Sequence, residues 1–321
     1  MKLQQRLVLA ALLLAAFVVV LGAYVRLSDA GLGCPDWPGC YGHLAVPEQA
    51  HEQAAAAAAF PGKLVHAAKA WKEMVHRYFA ASLGLLILII AVLAWRNRTR
   101  GRTPWVETAL VGVVVFQGAL GMWTVTLLLK PVIVSAHLLG GMTTLALLLW
   151  LALPRPRTAD FRRLRSLALL TLTAVAGQIA LGGWTSSNHA AMACGEFPTC
   201  QGSWWPELDF RPAFQFHREL GMTADGESLS LPALAAIHLS HRLGALVTAL
   251  ATGFLARACL RRWPLRPYGL ALLAALSLQL ALGIGNVVMG LPLPLAVAHN
   301  AGAALLLATV VALNRRLWPT L

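Results

Sequence analysis

Four histidines, His76, His137, His241 and His299, lie within long apolar runs. An ionisable side chain inside a membrane is costly and marks function by default. One such histidine could do no more than hydrogen-bond a neighbouring helix. Four at repeating positions ask for more. Paired imidazoles on adjacent helices suit the two axial positions of a haem iron, and nearby glycines let the flat macrocycle approach the backbone. Two pairs make two haem sites. Zinc would want a third or fourth ligand, and neither pair has a matching extra Cys, Asp or His.

The surroundings of the first histidine in each pair differ. Glu73-Met-Val-His76-Arg77 corresponds to His238-Leu-Ser-His241-Arg242. Residues three apart share a helix face, so Glu73 and His238 each sit one turn from an imidazole. A carboxylate beside a haem can take a proton or stabilise developing positive charge. Only the N-terminal copy has one, which divides the copies into a reacting site and a holding or relay site. The competing role for Glu73 is an acidic residue near a helix N-terminus, favoured by the macrodipole. His238 could pack at a haem edge or relay electrons. Arg77 and Arg242 offer bidentate partners for haem propionates, or else snorkel to lipid headgroups.

Two cysteine pairs share one spacing: Cys34-Pro-Asp-Trp-Pro-Gly-Cys40 and Cys194-Gly-Glu-Phe-Pro-Thr-Cys200. An interval containing Pro and Gly can turn back and close, so two short disulfides, Cys34–Cys40 and Cys194–Cys200, are the first reading. A four-cysteine metal site would want C-x2-C spacing and reduced thiols. Exchange with thiol carriers stays open. Cys259 stands alone and reads as an apolar residue.

These residues need elements to hold them. The chain has 321 residues, 58% hydrophobic and 12% charged, where a soluble domain carries about 25% charged residues. A soluble enzyme, a disordered chain and a disulfide-dense mini-domain are all excluded. Apolar runs of bilayer-spanning length fall at about 6–26, 73–95, 105–127, 131–153, 165–187, 232–256, 267–289 and 292–314. Of the 26 Lys and Arg, 17 lie in alternate connections: Lys2 and Arg6; Arg96, Arg98, Arg100 and Arg102; Arg155, Arg157, Arg162, Arg163 and Arg165; Arg257, Arg261, Arg262 and Arg266; Arg315 and Arg316. The positive-inside rule then puts both termini in the cytoplasm and the long loops, 27–72 and 188–231, outside. The net charge of +13 is thus a topology and lipid-headgroup signal, with no nucleic-acid partner implied. Trp95, Trp105, Trp150, Trp263 and Trp318 fall at inner ends, and Trp37, Trp71, Trp123, Trp184, Trp204 and Trp205 at or beyond outer ones. The first run is too long for a signal peptide and no A-x-A-like site ends it, so it counts as a span.

The chain also repeats. Both cysteines recur at an offset of 160, His76-Arg77 matches His241-Arg242 at 165, and Gln117 and His137 match Gln279 and His299 at 162. The expected fold is an all-α integral membrane protein of eight transmembrane helices. They form two tandem, pseudo-symmetric four-helix bundles, 1–160 and 161–321, related by an axis along the membrane normal. A finer repeat runs through Gln117 to Gly121, Gln178 to Gly182 and Gln279 to Gly283. Its partner is H-x-x-G at His137, His241 and His299. The first span keeps only Leu21-Gly22, and His76 has Phe79 in the glycine position. The glutamines should bond between helices where glycines permit close packing. An alanine-rich insert, Ala54 to Ala59, should form a short helix over the outer mouth, and His43, His51, His66, His189 and His217 read as exposed loop residues.

Taken together, Gly31-Leu-Gly-Cys34-Pro-Asp-Trp-Pro-Gly-Cys40, the E-x-x-H-R run, His137, the second cysteine pair, His241-Arg242 and His299 resemble the haem A synthase family across essentially the whole chain. That family oxidises a methyl group of haem O to a formyl group. The resemblance implies that His76 and His137 flank the substrate haem O, that His241 and His299 ligate a resident haem b, and that Glu73 is the catalytically important carboxylate. It further implies a membrane enzyme that supplies haem O, terminal oxidase assembly as the destination of haem A, and an electron acceptor the sequence does not identify. Lys2 to Arg6 leading straight into the first span points to a bacterial inner membrane, and a homo-oligomer is compatible with the apolar surface. Two other classes compete. A di-haem b-type electron-transfer cytochrome would use the same histidines without needing Glu73. A transporter would use midplane glutamines rather than histidines towards one surface.

Overall fold

The computed structural model describes residues 3–98, 103–154 and 161–318. Lys2, Arg100, Arg102, Arg155 and Arg157 of the charge pattern lie outside the described residues. Among those described, the regular structure is helical. It comprises α1 (Leu3–Leu27), α2 (Ala50–Ala59), α3 (Ala67–Arg96), α4 (Trp105–Thr126), α5 (Pro131–Ala152), α6 (Arg162–Ser187), α7 (Phe210–Ala213), α8 (Leu231–Leu260), α9 (Arg266–Val288) and α10 (Leu293–Leu317). All but α2 and α7 are long and apolar enough to cross a membrane, so the chain is a multi-pass membrane protein with eight such helices. Their outward faces carry Leu246, Val247, Leu250 and Phe254 on α8 and Leu85, Leu88, Ile89 and Val92 on α3, as a helix apolar all round requires.

Seven of the eight begin and end within about four residues of the apolar runs. The exception is α3, which starts at Ala67, six residues before its apolar run. Ala67 to Lys72 is too polar to register as membrane span, yet it is built of good helix formers. Starts elsewhere follow ordinary rules. The Ser230 hydroxyl accepts from Ala233 N–H to cap α8, and proline occupies the first turn of α8, α9 and α10. Short connections close with left-handed residues, Leu129 donating to Thr124 O at 2.8 Å and Leu291 to Asn286 O at 2.7 Å.

The chain divides into two compact units, Met1–Thr144 and Leu145–Leu321. In the first, α3 packs against α1 and α4. In the second, α6, α8, α9 and α10 close a ring, each touching the next and α10 returning to α6. Helix association in lipid gains nothing from the hydrophobic effect, so polar ties between helices count. Here they run from Thr171 to Ala251 O (3.3 Å), Thr248 to Ala174 O (3.2 Å) and Asn314 to Ala168 O (3.2 Å).

The two long loops are built alike around their cysteines. Each closes a two-residue turn, Cys40 pairing with His43 and Cys200 with Ser203 at 2.8 and 3.1 Å. The turn residues Tyr41-Gly42 and Gln201-Gly202 have positive φ. Asp36 accepts from Tyr41 and Gly42 N–H. Glu196 accepts from Gly202 N–H at 2.5 Å, and that bond holds its carboxyl below the usual range. In the first loop Cys34, Cys40, Tyr41, Val46 and Ala56 of α2 form a core with Ala70 and Met74 of α3. The alanine-rich insert is therefore a helix docked on the disulfide. In the second loop Arg218, 4% exposed, lies over the Trp184 ring and donates to Gln215 O, Met222 O and Asn188 Oδ1.

Candidate functional site

Each of the four histidines sits within the first three turns of α3, α5, α8 or α10, with its ring over a glycine of the membrane-spanning helix before it. A Cβ on Gly22 would stand 3.0 Å from His76 Cε1, on Gly121 3.5 Å from His137, on Gly182 3.1 Å from His241 and on Gly283 3.0 Å from His299. The glycines are thus slots for imidazoles. Three hairpins add a reciprocal fit in which a glutamine occupies the hollow left by the second glycine. Gln117 fills the space of a Gly140 Cβ, Gln178 that of Gly244 and Gln279 that of Gly302. Gln117 Nε2 donates to His137 O at 2.9 Å and Gln178 Nε2 to His241 O at 3.0 Å. Gln178 Nε2 also lies 3.0 Å from His241 Nδ1, and Gln279 Nε2 3.3 Å from His299 Nε2. In the first hairpin the glutamine and glycine are missing, and Phe17 meets Phe79 edge to face at 4.9 Å. His76 and His137 belong to the first unit, and His241 and His299 to the second.

Glu73 is 5% exposed. Its Oε2 accepts from Cys34 N–H at 3.0 Å and its Oε1 from Arg77 Nη2 at 2.5 Å. Arg77 Nη1 donates to Gly39 O and, at 3.3 Å, to Pro38 O. The pair therefore ties the cysteine loop to the turn of α3 that carries His76. The second unit repeats the tie with different chemistry. His238, 4% exposed, has Cys194 N–H at 3.3 Å from Nδ1 and Arg242 Nε at 3.3 Å from Nε2. A neutral imidazole has one acceptor nitrogen, so only one of these contacts is a hydrogen bond at a time. Arg242 also donates to Cys194 O (3.0 Å), Glu196 O (2.6 Å), Thr199 O (2.9 Å) and Pro198 O (3.3 Å). Sequence reasoning missed these latches. The shared spacing of cysteine pair and H-R motif in both units was the available signal.

The cysteines pair within each loop at bonding distance, Cys34–Cys40 at 2.08 Å and Cys194–Cys200 at 1.98 Å. Cys259 is free and buried. His43, His51, His66, His189 and His217 are exposed. The glycines beside the glutamines, Gly121, Gly182 and Gly283, admit the histidine rings, and the glutamines are admitted by the H-x-x-G glycines instead.

The residues fit a haem. Among the described residues no three or more His, Cys, Asp or Glu converge as a bare-ion site. Each unit presents two buried imidazoles that could hold a haem iron, a group needing only two ligands from the protein. Nδ1 of His76, His137 and His299 is buried without a hydrogen-bond partner.

Residues 5–311 match the COX15-CtaA family, described as cytochrome oxidase assembly protein. A heme A synthase of Shewanella oneidensis is 47% identical over 313 residues, spanning 96% of this chain and 94% of its own. A heme A synthase of Rhodopseudomonas palustris is 32% identical, spanning 96% and 89%. One of Caulobacter vibrioides is 28% identical, spanning 92% and 90%. With the match running through both units and all four histidines, the chain belongs to the COX15-CtaA family of cytochrome oxidase assembly proteins.

Proposed function

We propose that this chain is a haem A synthase of a bacterial cytoplasmic membrane, oxidising the methyl group of haem O to a formyl group through the alcohol and the gem-diol. The observation that carries the reading is the asymmetry of two otherwise matching units. A buried carboxylate lies one helical turn from His76, where the second unit has His238 beside His241. His76 and His137 would hold haem O with its methyl towards Glu73, which moves a proton or stabilises positive charge as the carbon is oxidised. His241 and His299 would hold haem b, which supplies one-electron storage when bound. Arg77, engaged by Glu73 and two loop carbonyls, and Arg242, engaged by four loop carbonyls, would lend positive charge to propionates rather than a bidentate clasp. Both termini lie in the cytoplasm and the haem sites towards the outer face. A haem O-producing membrane enzyme is the donor, terminal oxidase assembly the recipient.

The test is to purify the protein in detergent from cells that make haem O, extract its haems with acid and identify them by chromatography and mass. Haem B together with haem O, its hydroxylated form or haem A is the expected result. Haem B alone at about two per chain, one for each histidine pair, would favour an electron-transfer cytochrome. No haem would overturn the reading.

A further inference from the structure

The four imidazoles are not held equally, although all four rest on a glycine. In three hairpins a glutamine from the preceding helix closes over the histidine, its amide nitrogen on the histidine's carbonyl or ring. For Gln117 and Gln178 the amide has to be oriented this way, because a main-chain carbonyl only accepts, whereas Gln279 meets only the His299 ring. Oε1 of all three is buried without a partner. An unsatisfied buried acceptor is destabilising. A methionine or leucine would fill the same hollow over Gly140, Gly244 or Gly302 without that cost, so packing alone does not account for three amides. The His76 hairpin has no counterpart. Val18 stands in the glutamine position and Phe79 in the glycine position, and Phe17 packs on Phe79.

From this we infer that Gln117 and Gln178 are positioning residues that clamp His137 and His241 for the iron, with Gln279 packed in the matching hollow beside His299, and that His76 is left unclamped so that its haem can leave. This rests on the reading that the histidines ligate haem. One unit then holds its haem between two histidines each backed by a glutamine, as a resident group. The other holds it between a glutamine-backed histidine and one without that backing, as a substrate that must enter and depart.

Carbon monoxide binding to the reduced, haem-loaded protein tests the inference. A six-coordinate iron takes CO only when an imidazole swings off, so the CO rate reads ligand release in place of activity. In Gln178→Met the rate at the resident haem should rise roughly three- to tenfold, the worth of one hydrogen bond. In the reciprocal variant Val18→Gln with Phe79→Gly, haem in the first unit should take CO more slowly than in the parent. Glutamines that only glue helices together would lower thermal stability and leave the CO rates unchanged, which would overturn the proposal. An unchanged rate in the reciprocal variant would overturn the part concerning His76. A parent protein with no Soret absorbance would remove the haem reading itself, an outcome distinct from the other two.

Discussion

Glu73 has two uses in one place, latching the cysteine loop and standing beside His76, and one substitution separates them. Glu73→His installs the residue that occupies the same position in the second unit, where His238 already meets a cysteine N–H and an arginine. The carboxylate makes two bonds at once, to Cys34 N–H and Arg77. An imidazole keeps one of them. The Glu73 and Arg77 side chains are 6% and 13% exposed, so solvent recovers little of what is lost. Losing one bond to a charged partner costs about 1–2 kcal/mol, whereas Glu73→Ala, which strands the arginine as well, costs about 3–5 kcal/mol. Removing a general acid–base group lowers the rate roughly 10²- to 10⁴-fold. Glu73→His should therefore retain both disulfides and its haem B, lose a few degrees of thermal stability, and accumulate haem O in place of haem A. The assay is the haem A to haem B ratio by chromatography, alongside a thermal melt. Haem A at the parental level in a folded Glu73→Gln protein, in which no titratable group replaces the carboxylate, would refute the catalytic role and leave Glu73 as a latch.

Three further outcomes follow from the same geometry. Gly182→Ala places a Cβ 3.1 Å from His241 Cε1 and should lower haem B per chain, while Gly177→Ala, with open space around it, should leave haem content unchanged; pyridine haemochrome spectra measure both. Replacing Cys34 and Cys40 by serine removes a short-loop disulfide worth about 2 kcal/mol and should speed proteolysis of the first loop. Arg218→Ala abandons Asn188 Oδ1 and two carbonyls, a local loss of about 2–3 kcal/mol, and should open 188–231 to protease with the helices intact.

The eight spans were legible because each needs a long apolar run, a signal composition alone carries. The Q-x-x-x-G and H-x-x-G patterns were legible too, but which glycine admits which side chain was not. On antiparallel helices the four-residue and three-residue spacings cross, so Gly121 receives His137 and Gly140 receives Gln117. The tie between Cys34 and Glu73 joins residues 39 apart in the chain, and nothing periodic announces it. His238 reads from sequence as a haem neighbour or electron relay, and its observed partners are Cys194 and Arg242. The extra helical turns at the start of α3 escaped because hydropathy reports membrane, whereas the helix continues beyond it.

Each imidazole seat is made by two membrane helices consecutive in the chain: α1 and α3, α4 and α5, α6 and α8, α9 and α10. Contacts between elements so close in order form early and quickly. A hairpin is therefore a finished half-site as soon as it is in the bilayer, before distant helices have met. Binding a metal centre to half-sites that it must join contributes its affinity directly to assembly. On the proposed reading haem would act as a rivet as well as a reagent, and a chain made in cells starved of haem should stall as loosely associated hairpins.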